Sequence, residues 1–128
     1  MNIIVTVQQR REPIAVMQLQ GDIDASNFIQ IVDKAREIYQ NPANYLVIDL
    51  SEVTGVSSTG LAAIHKIALL YSGVPEEKAH PDLTHSSNAR KYVKLLSPQP
   101  AVDKALETAG MKLFFKVFHD LESALNSF

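Results

Sequence analysis

Three adjacent hydroxyls carry the most suggestive chemistry in this chain. Ser57, Ser58 and Thr59 stand between Gly55 and Gly60, just ahead of a segment with helical periodicity. A hydroxyl at a helix N-terminus accepts hydrogen bonds from backbone N–H groups that have no partner within the helix. Those amides, together with the helix dipole, also favour an anion such as a phosphate. Phosphorylating one of these residues would add about −1.5 to −2 charges. The helix end tolerates that charge, whereas a partner lying across the loop need not. Ser-Ser-Thr before a helix is usually just an ordinary cap, and composition alone does not outweigh that reading.

Other reactive constellations are weaker. Gly55-Val56-Ser57-Ser58-Thr59-Gly60 is not a G-x-S-x-G nucleophile elbow, because the second Gly falls one residue late. It also lacks the Lys of a phosphate-binding P-loop. The four histidines, His65, His80, His85 and His119, contain no H-x-x-x-H metal pair. His80 and His85 share a loop with Asp82, for which a solvated loop is the simpler reading than a metal site. His65, beside Lys66 in mid-helix, reads as a surface residue. Asp22 and Asp24 form a candidate acid pair that turn and cap roles explain as well. No nucleophile–base pair and no metal site can be assembled from these spacings. Neither catalysis nor a cofactor is therefore expected.

The elements that must position these residues alternate along the chain. Residues 3–9 and 14–20 read as two strands of a hairpin around the polar turn Arg10–Pro13, ended by Gly21. Asp22 to Ser26 is turn-prone and supplies caps for a helix over about 26–40, with Phe28, Ile31, Val32, Ala35, Ile38 and Tyr39 on its apolar face. Asn41-Pro42 stops that helix. The run 45–50 is apolar throughout, as a strand buried on both faces is. The loop 51–60 follows, and a helix from Ser58 to about Tyr71 buries Leu61, Ile64, Ile67, Ala68 and Tyr71. Residues 73–91 hold Pro75, Pro81 and few large apolar residues, and read as a long exposed loop.

A strand over 92–96, a helix over about 100–109 closed by Gly110, a strand over 113–118 and a short helix capped by Asp120 complete the chain. The order ββαβαβαβα predicts an α/β fold with a mixed, mostly parallel sheet of four to five strands and about four helices. In such sheets function gathers in loops at the carboxyl ends of the strands. The hydroxyl loop is one of these.

Composition bounds the rest. The chain has 128 residues, with 12 Lys+Arg, 14 Asp+Glu and a net charge of −2. That length fits one domain with a real core. With no Cys there is no disulfide framework and no thiolate metal site. The slight negative charge gives no general attraction to nucleic acid. The longest apolar-rich stretch, Leu61 to Tyr71, falls well short of the ~20 residues that span a bilayer. The start Met1-Asn2-Ile3-Ile4-Val5 lacks the basic residues and long apolar stretch of a signal peptide, so a cytoplasmic location is expected.

Taken in order, several segments resemble the STAS domain, the family of the bacterial anti-sigma factor antagonists. Leu19-Gln20-Gly21-Asp22-Ile23-Asp24 is similar to the family's hydrophobic-x-Gly-Glu-Leu-Asp turn. Leu46 to Val53 resembles its buried strand and following loop. Val56-Ser57-Ser58-Thr59-Gly60-Leu61 resembles its Asp-Ser-Ser/Thr-Gly-Leu signature, with Ser57 standing at the Asp position. Val102, Leu106, Ala109-Gly110, Leu113-Phe114 and Val117-Phe118 resemble its penultimate helix, turn and last strand. The likeness covers nearly the whole chain except about 73–91.

The resemblance implies a regulatory binding module. The unmodified antagonist binds an anti-sigma factor that is also a GHKL-type serine kinase, and so releases a sigma factor. The kinase phosphorylates the first hydroxyl after the signature Asp, and a PP2C-type phosphatase resets the switch. Carried over, the acceptor is Ser58, with Ser57 and Thr59 as lesser candidates. The implied partner surface comprises Asp22, Asp24, Ser26, Gly55, Ser57, Ser58, Thr59, Gly60 and Leu61. Gly60 is the close-approach glycine and Asp24 the turn carboxylate. Two other roles fit the family. One is an unphosphorylated scaffold or accessory subunit of a stress-signalling or lipid-transport complex. The other is a module binding a small anionic ligand.

Overall fold

Alternation in the first twenty residues builds an antiparallel hairpin. In the computed structural model, which describes residues 1–40, 45–71 and 91–128, strands β1 (Asn2–Gln9) and β2 (Pro13–Gln20) pair without interruption from Asn2 opposite Gln20 to Gln9 opposite Pro13. Gly21 ends the hairpin with φ +104, a conformation that glycine adopts without steric cost. The sheet then continues in parallel through β3 (Tyr45–Glu52), β4 (Val93–Leu96) and β5 (Lys116–Phe118), in the spatial order β1-β2-β3-β4-β5. Helices α1 (Phe28–Gln40), α2 (Ser58–Tyr71) and α3 (Pro100–Thr108) make the crossovers, and α4 (Leu121–Asn126) closes the chain. This is the mixed, mostly parallel α/β architecture that the alternation implies.

Strand periodicity divides the core into two faces. Ala15, Met17 and Leu19 of β2, Leu46, Ile48 and Leu50 of β3, and Val93 and Leu95 of β4 point to one face. There they meet Ile31, Ala35 and Ile38 of α1, Ile64, Ile67 and Tyr71 of α2, and Val102 and Leu106 of α3. On the other face Ile14, Val16, Val47 and Leu96 pack with Ala124 and Leu125 of α4. Leu46, Val47 and Ile48 are all fully buried, as expected of a two-sided strand. Each fully buried aliphatic side chain contributes about 1.5–3 kcal/mol. The position of β3 at the sheet's centre therefore fixes where its carboxyl-end loop emerges.

Several boundaries differ from the sequence reading. Helix α1 starts at Phe28, not 26, because Asp24 to Asn27 form a separate turn. β3 runs two residues further, to Glu52. The expected strand over 113–118 is corrected: Met111–Leu113 is a 3-10 turn and β5 begins at Lys116. Gly110, at φ +72, turns the chain at the end of α3, and the amides of Phe114 and Phe115 donate back to the carbonyl of Met111. Met111 and Phe115 are buried while Leu113 is exposed, so this apolar run follows a helical spacing. Asp120 does cap α4, accepting from the Ser123 amide at 2.9 Å. The stop at Asn41-Pro42, the loop 73–90 and the His80, Asp82 and His85 group lie outside the described residues.

Candidate functional site

The hydroxyl loop is held by a neighbouring loop that leaves β2. Both strands run parallel, so residues 21–27 and 53–60 emerge at the same edge of the sheet. They are stitched together by backbone. The Gly21 amide donates to the Glu52 carbonyl, the Ile23 amide to Gly55, and the Ser57 amide back to Ile23, each at 3.0 Å. Ile23 and Val56 form an isolated parallel bridge. The Ile23 side chain is fully buried and anchors its loop in the core.

Ser57 is the N-terminal cap of α2. Its Oγ accepts from the Gly60 amide at 3.0 Å, and its carbonyl accepts the Leu61 amide at 2.9 Å. Ser58 and Thr59 begin the helix beyond it, and all three hydroxyl residues are exposed. Ser57 does the capping, and Ser58 presents an alcohol to solvent at the positive end of the helix.

Gly60 is where α2 meets the other loop. A Cβ built there would lie 2.3 Å from the Ile23 carbonyl oxygen and 2.8 Å from Val56 Cγ2. Only glycine lets the helix start this close to that backbone. Gly55 packs more loosely, beside the Asp22 carboxylate.

The acidic residues build the adjoining loop. Asp24 Oδ1 accepts from the Ser26 amide at 2.9 Å and from the Ser26 hydroxyl. Those bonds, the hydroxyl first, hold the Asp24 carboxyl below its ordinary range. Asn27, which is buried, takes the stapling role. Its Oδ1 accepts the Asp24 amide at 3.0 Å and its Nδ2 donates to the Asp22 carbonyl at 2.8 Å. Asp22 is exposed and accepts from the Thr54 hydroxyl, tying the two loops again through side chains. Asp22, Asp24, Ser26, Gly55, Ser57, Ser58, Thr59 and Gly60 are therefore brought into one region. Its exposed side chains are carboxylates and hydroxyls.

A groove beside Ser58 was not legible in the sequence. It has a volume of about 360 Å³ and is lined by Ser58, Leu61, Ala62 and His65 of α2 and by Ala109, Met111 and Phe114. Leu61 is accordingly only half-buried, where helical spacing alone predicts a core position. The reading of His65 as a surface residue is also corrected. Its ring packs on Phe114 with centroids 5.0 Å apart, and its Nε2 is buried without a hydrogen-bond partner. Burial pushes the His65 pKa down, since the charged imidazolium would lose its water. The 3-10 turn brings these groups against α2 from some fifty residues away, a contact that no local pattern announces.

Among the described residues there is no group of three or more His, Asp or Glu able to hold a metal. Nor is any described helix long and apolar enough to cross a membrane.

The family model of the STAS domain matches residues 5–72. No curated protein matches the chain by sequence. Among solved structures, an anti-sigma factor antagonist from Mycobacterium paratuberculosis is 20% identical with a TM-score of 0.69, over 98% of this chain and 93% of that one. A putative anti-sigma factor antagonist from Thermotoga maritima is 15% identical with a TM-score of 0.70, over 95% and 92%. The Bacillus cell fate determinant SpoIIAA in its phosphorylated form is 15% identical with a TM-score of 0.58, over 96% and 97%. At these identities the structures establish a shared fold, including the part of the chain beyond the family match.

Proposed function

The chain belongs to the STAS domain family, and from that premise we propose that it is an anti-sigma factor antagonist switched by phosphorylation of Ser58. The carrying observation is the division of labour at the start of α2. Ser57 Oγ is engaged by the Gly60 amide, while the next residue, Ser58, lies exposed at the helix N-terminus. Ser57 replaces the carboxylate of the family signature, and a hydroxyl caps as well as a carboxylate does. Its presence therefore leaves the acceptor's position intact. That a phosphorylated form of SpoIIAA shares this fold supports the same reading.

The partner is an anti-sigma factor that is also a GHKL-type serine kinase. In its unmodified form the antagonist offers a surface of Asp22, Asp24, Ser26, Gly55, Ser57, Ser58, Thr59 and Leu61, continued by the apolar groove, with the buried Gly60 setting the backbone beneath it. Exposed carboxylates complement a basic partner surface, and the groove accepts an apolar side chain. The kinase transfers the γ-phosphoryl group of ATP to Ser58 Oγ, releasing ADP and the hydroxyl proton. The modified helix end is stable, because a phosphate there faces free amides. The complex is not, because about two negative charges now stand on the rim of an apolar groove and beside two carboxylates. A PP2C-type phosphatase restores the alcohol.

The experiment is incubation with the cognate anti-sigma factor kinase and ATP, followed by phosphate mapping by mass spectrometry. Modification at Ser58 is the expected result. Ser58→Ala should keep kinase binding without modification, and Ser58→Asp should weaken binding. If Ser57, Ser58 and Thr59 all stay unmodified, the switch is refuted.

A further inference from the structure

We propose that two copies of this chain join along β1, edge to edge and antiparallel, about a two-fold axis through Val5. The argument begins with the contrast between the two margins of the sheet. Natural edge strands are blunted by shortness, charge, proline or a bulge, because their outer N–H and C=O groups otherwise pair with another chain. The β5 margin follows that rule, with three residues including Lys116. The β1 margin follows none of it. β1 is eight residues long, has no Pro and no ionisable side chain, and pairs with β2 without a bulge. Among the described residues no strand lies beyond it.

Its side chains match. Ile4 and Val7 are 47% and 37% exposed, two of only four large apolar residues left exposed among the described residues. Side-chain direction alternates along a strand. An antiparallel partner that continues the same sheet with the same faces must therefore pair residues an even number of positions apart. Centring on Val5 pairs Asn2 with Gln8, Ile3 with Val7, Ile4 with Thr6, and Val5 with its own copy. Ile3, Val5 and Val7 then form one apolar stripe that extends the face already packed on α1 and α2, since Ile3 and Val5 contact that core.

Charge selects the occupant. A two-fold axis sets the strand against its own sequence, so any charge in it would be repeated with the same sign on the facing strand. The segment Asn2–Gln9 carries none. A second copy therefore meets no repulsion, and backbone pairing of the seven residues Asn2–Gln8 spans about 24 Å.

The test uses light scattering and sedimentation of the purified chain from micromolar to millimolar concentration. The wild type should reach twice the chain mass, and Ile4→Lys/Val7→Lys should stay at the chain mass with an unchanged melting curve. The chain has no Cys, so a single Val5→Cys reports on register. It should form a disulfide-linked dimer under mild oxidation, because directly opposed strand residues lie within disulfide reach. Thr6→Cys, whose twin is displaced, should cross-link far more slowly. A wild type that remains monomeric at every concentration overturns the proposal and leaves the edge to a foreign strand. A dimer that survives the double Lys variant, or faster linkage at residue 6 than at residue 5, overturns it too.

Discussion

Replacing Gly60 with Ala is the sharpest probe of how the two loops are joined. In a free helix this change is favourable by roughly 1 kcal/mol, because alanine loses less backbone entropy. Here the new methyl would sit 2.3 Å from the Ile23 carbonyl oxygen, 2.9 Å from the Ile23 carbonyl carbon and 2.8 Å from Val56 Cγ2. Two of these atoms are backbone, and no rotamer change relieves them. The helix start must withdraw by about 1 Å to restore ordinary contact distances. That movement stretches the Ser57 amide bond to Ile23 and the Ile23 amide bond to Gly55. Each such bond contributes about 0.5–1.5 kcal/mol, and overpacking adds about 1–3 kcal/mol. After subtracting the helical gain, Gly60→Ala should destabilise by about 1–5 kcal/mol. At ~4 °C per kcal/mol for a chain of this size, the melting temperature should fall by roughly 4–20 °C. Urea denaturation followed by circular dichroism measures this directly. A variant as stable as the wild type, or more so, would show that the close approach does not constrain the loops.

Two further substitutions test the same region. Ser57→Ala removes the hydroxyl that accepts the Gly60 amide and should cost about 1 kcal/mol in denaturant titration, whereas Ser57→Asp should be neutral or slightly stabilising. His65 gives a pH signature. Its folded pKa is depressed by burial, so the unfolded chain binds the proton more readily. Stability from this group is complete above the unfolded value of about 6.5 and is lost as pH falls below it toward the folded value. Melting temperatures of wild type and His65→Gln should converge or cross between neutral pH and pH ~5. Parallel pH profiles would refute the assignment.

What was legible in the sequence follows from the range of the interaction that fixes each feature. The two-sided strand β3, the glycine stop at Gly110 and the Asp120 cap depend on neighbours within a few residues, and each appears where the pattern indicates. The start of α1 was displaced because Asp24 folds onto Ser26 and Asn27 becomes the staple, a choice among equally plausible cap formers. Residues 113–115 differ from the expected strand because an apolar run suits either period, and burial of Met111 and Phe115 together decides for a turn. The hydroxyl motif was visible, but its assignment to roles needed the Ser57 to Gly60 bond. The groove needed α2 and the distant 109–114 segment to meet.

The bridge between Ile23 and Val56 carries a consequence for how a signal leaves this molecule. Three backbone bonds and a side-chain tie span the two loops, so the start of α2 and its neighbour are joined as one unit. A chain built this way behaves as a fixed stamp rather than a lever. On the proposed function, a phosphate written on it is read by the shape and charge it shows, and the motion belongs to the partner that lets go.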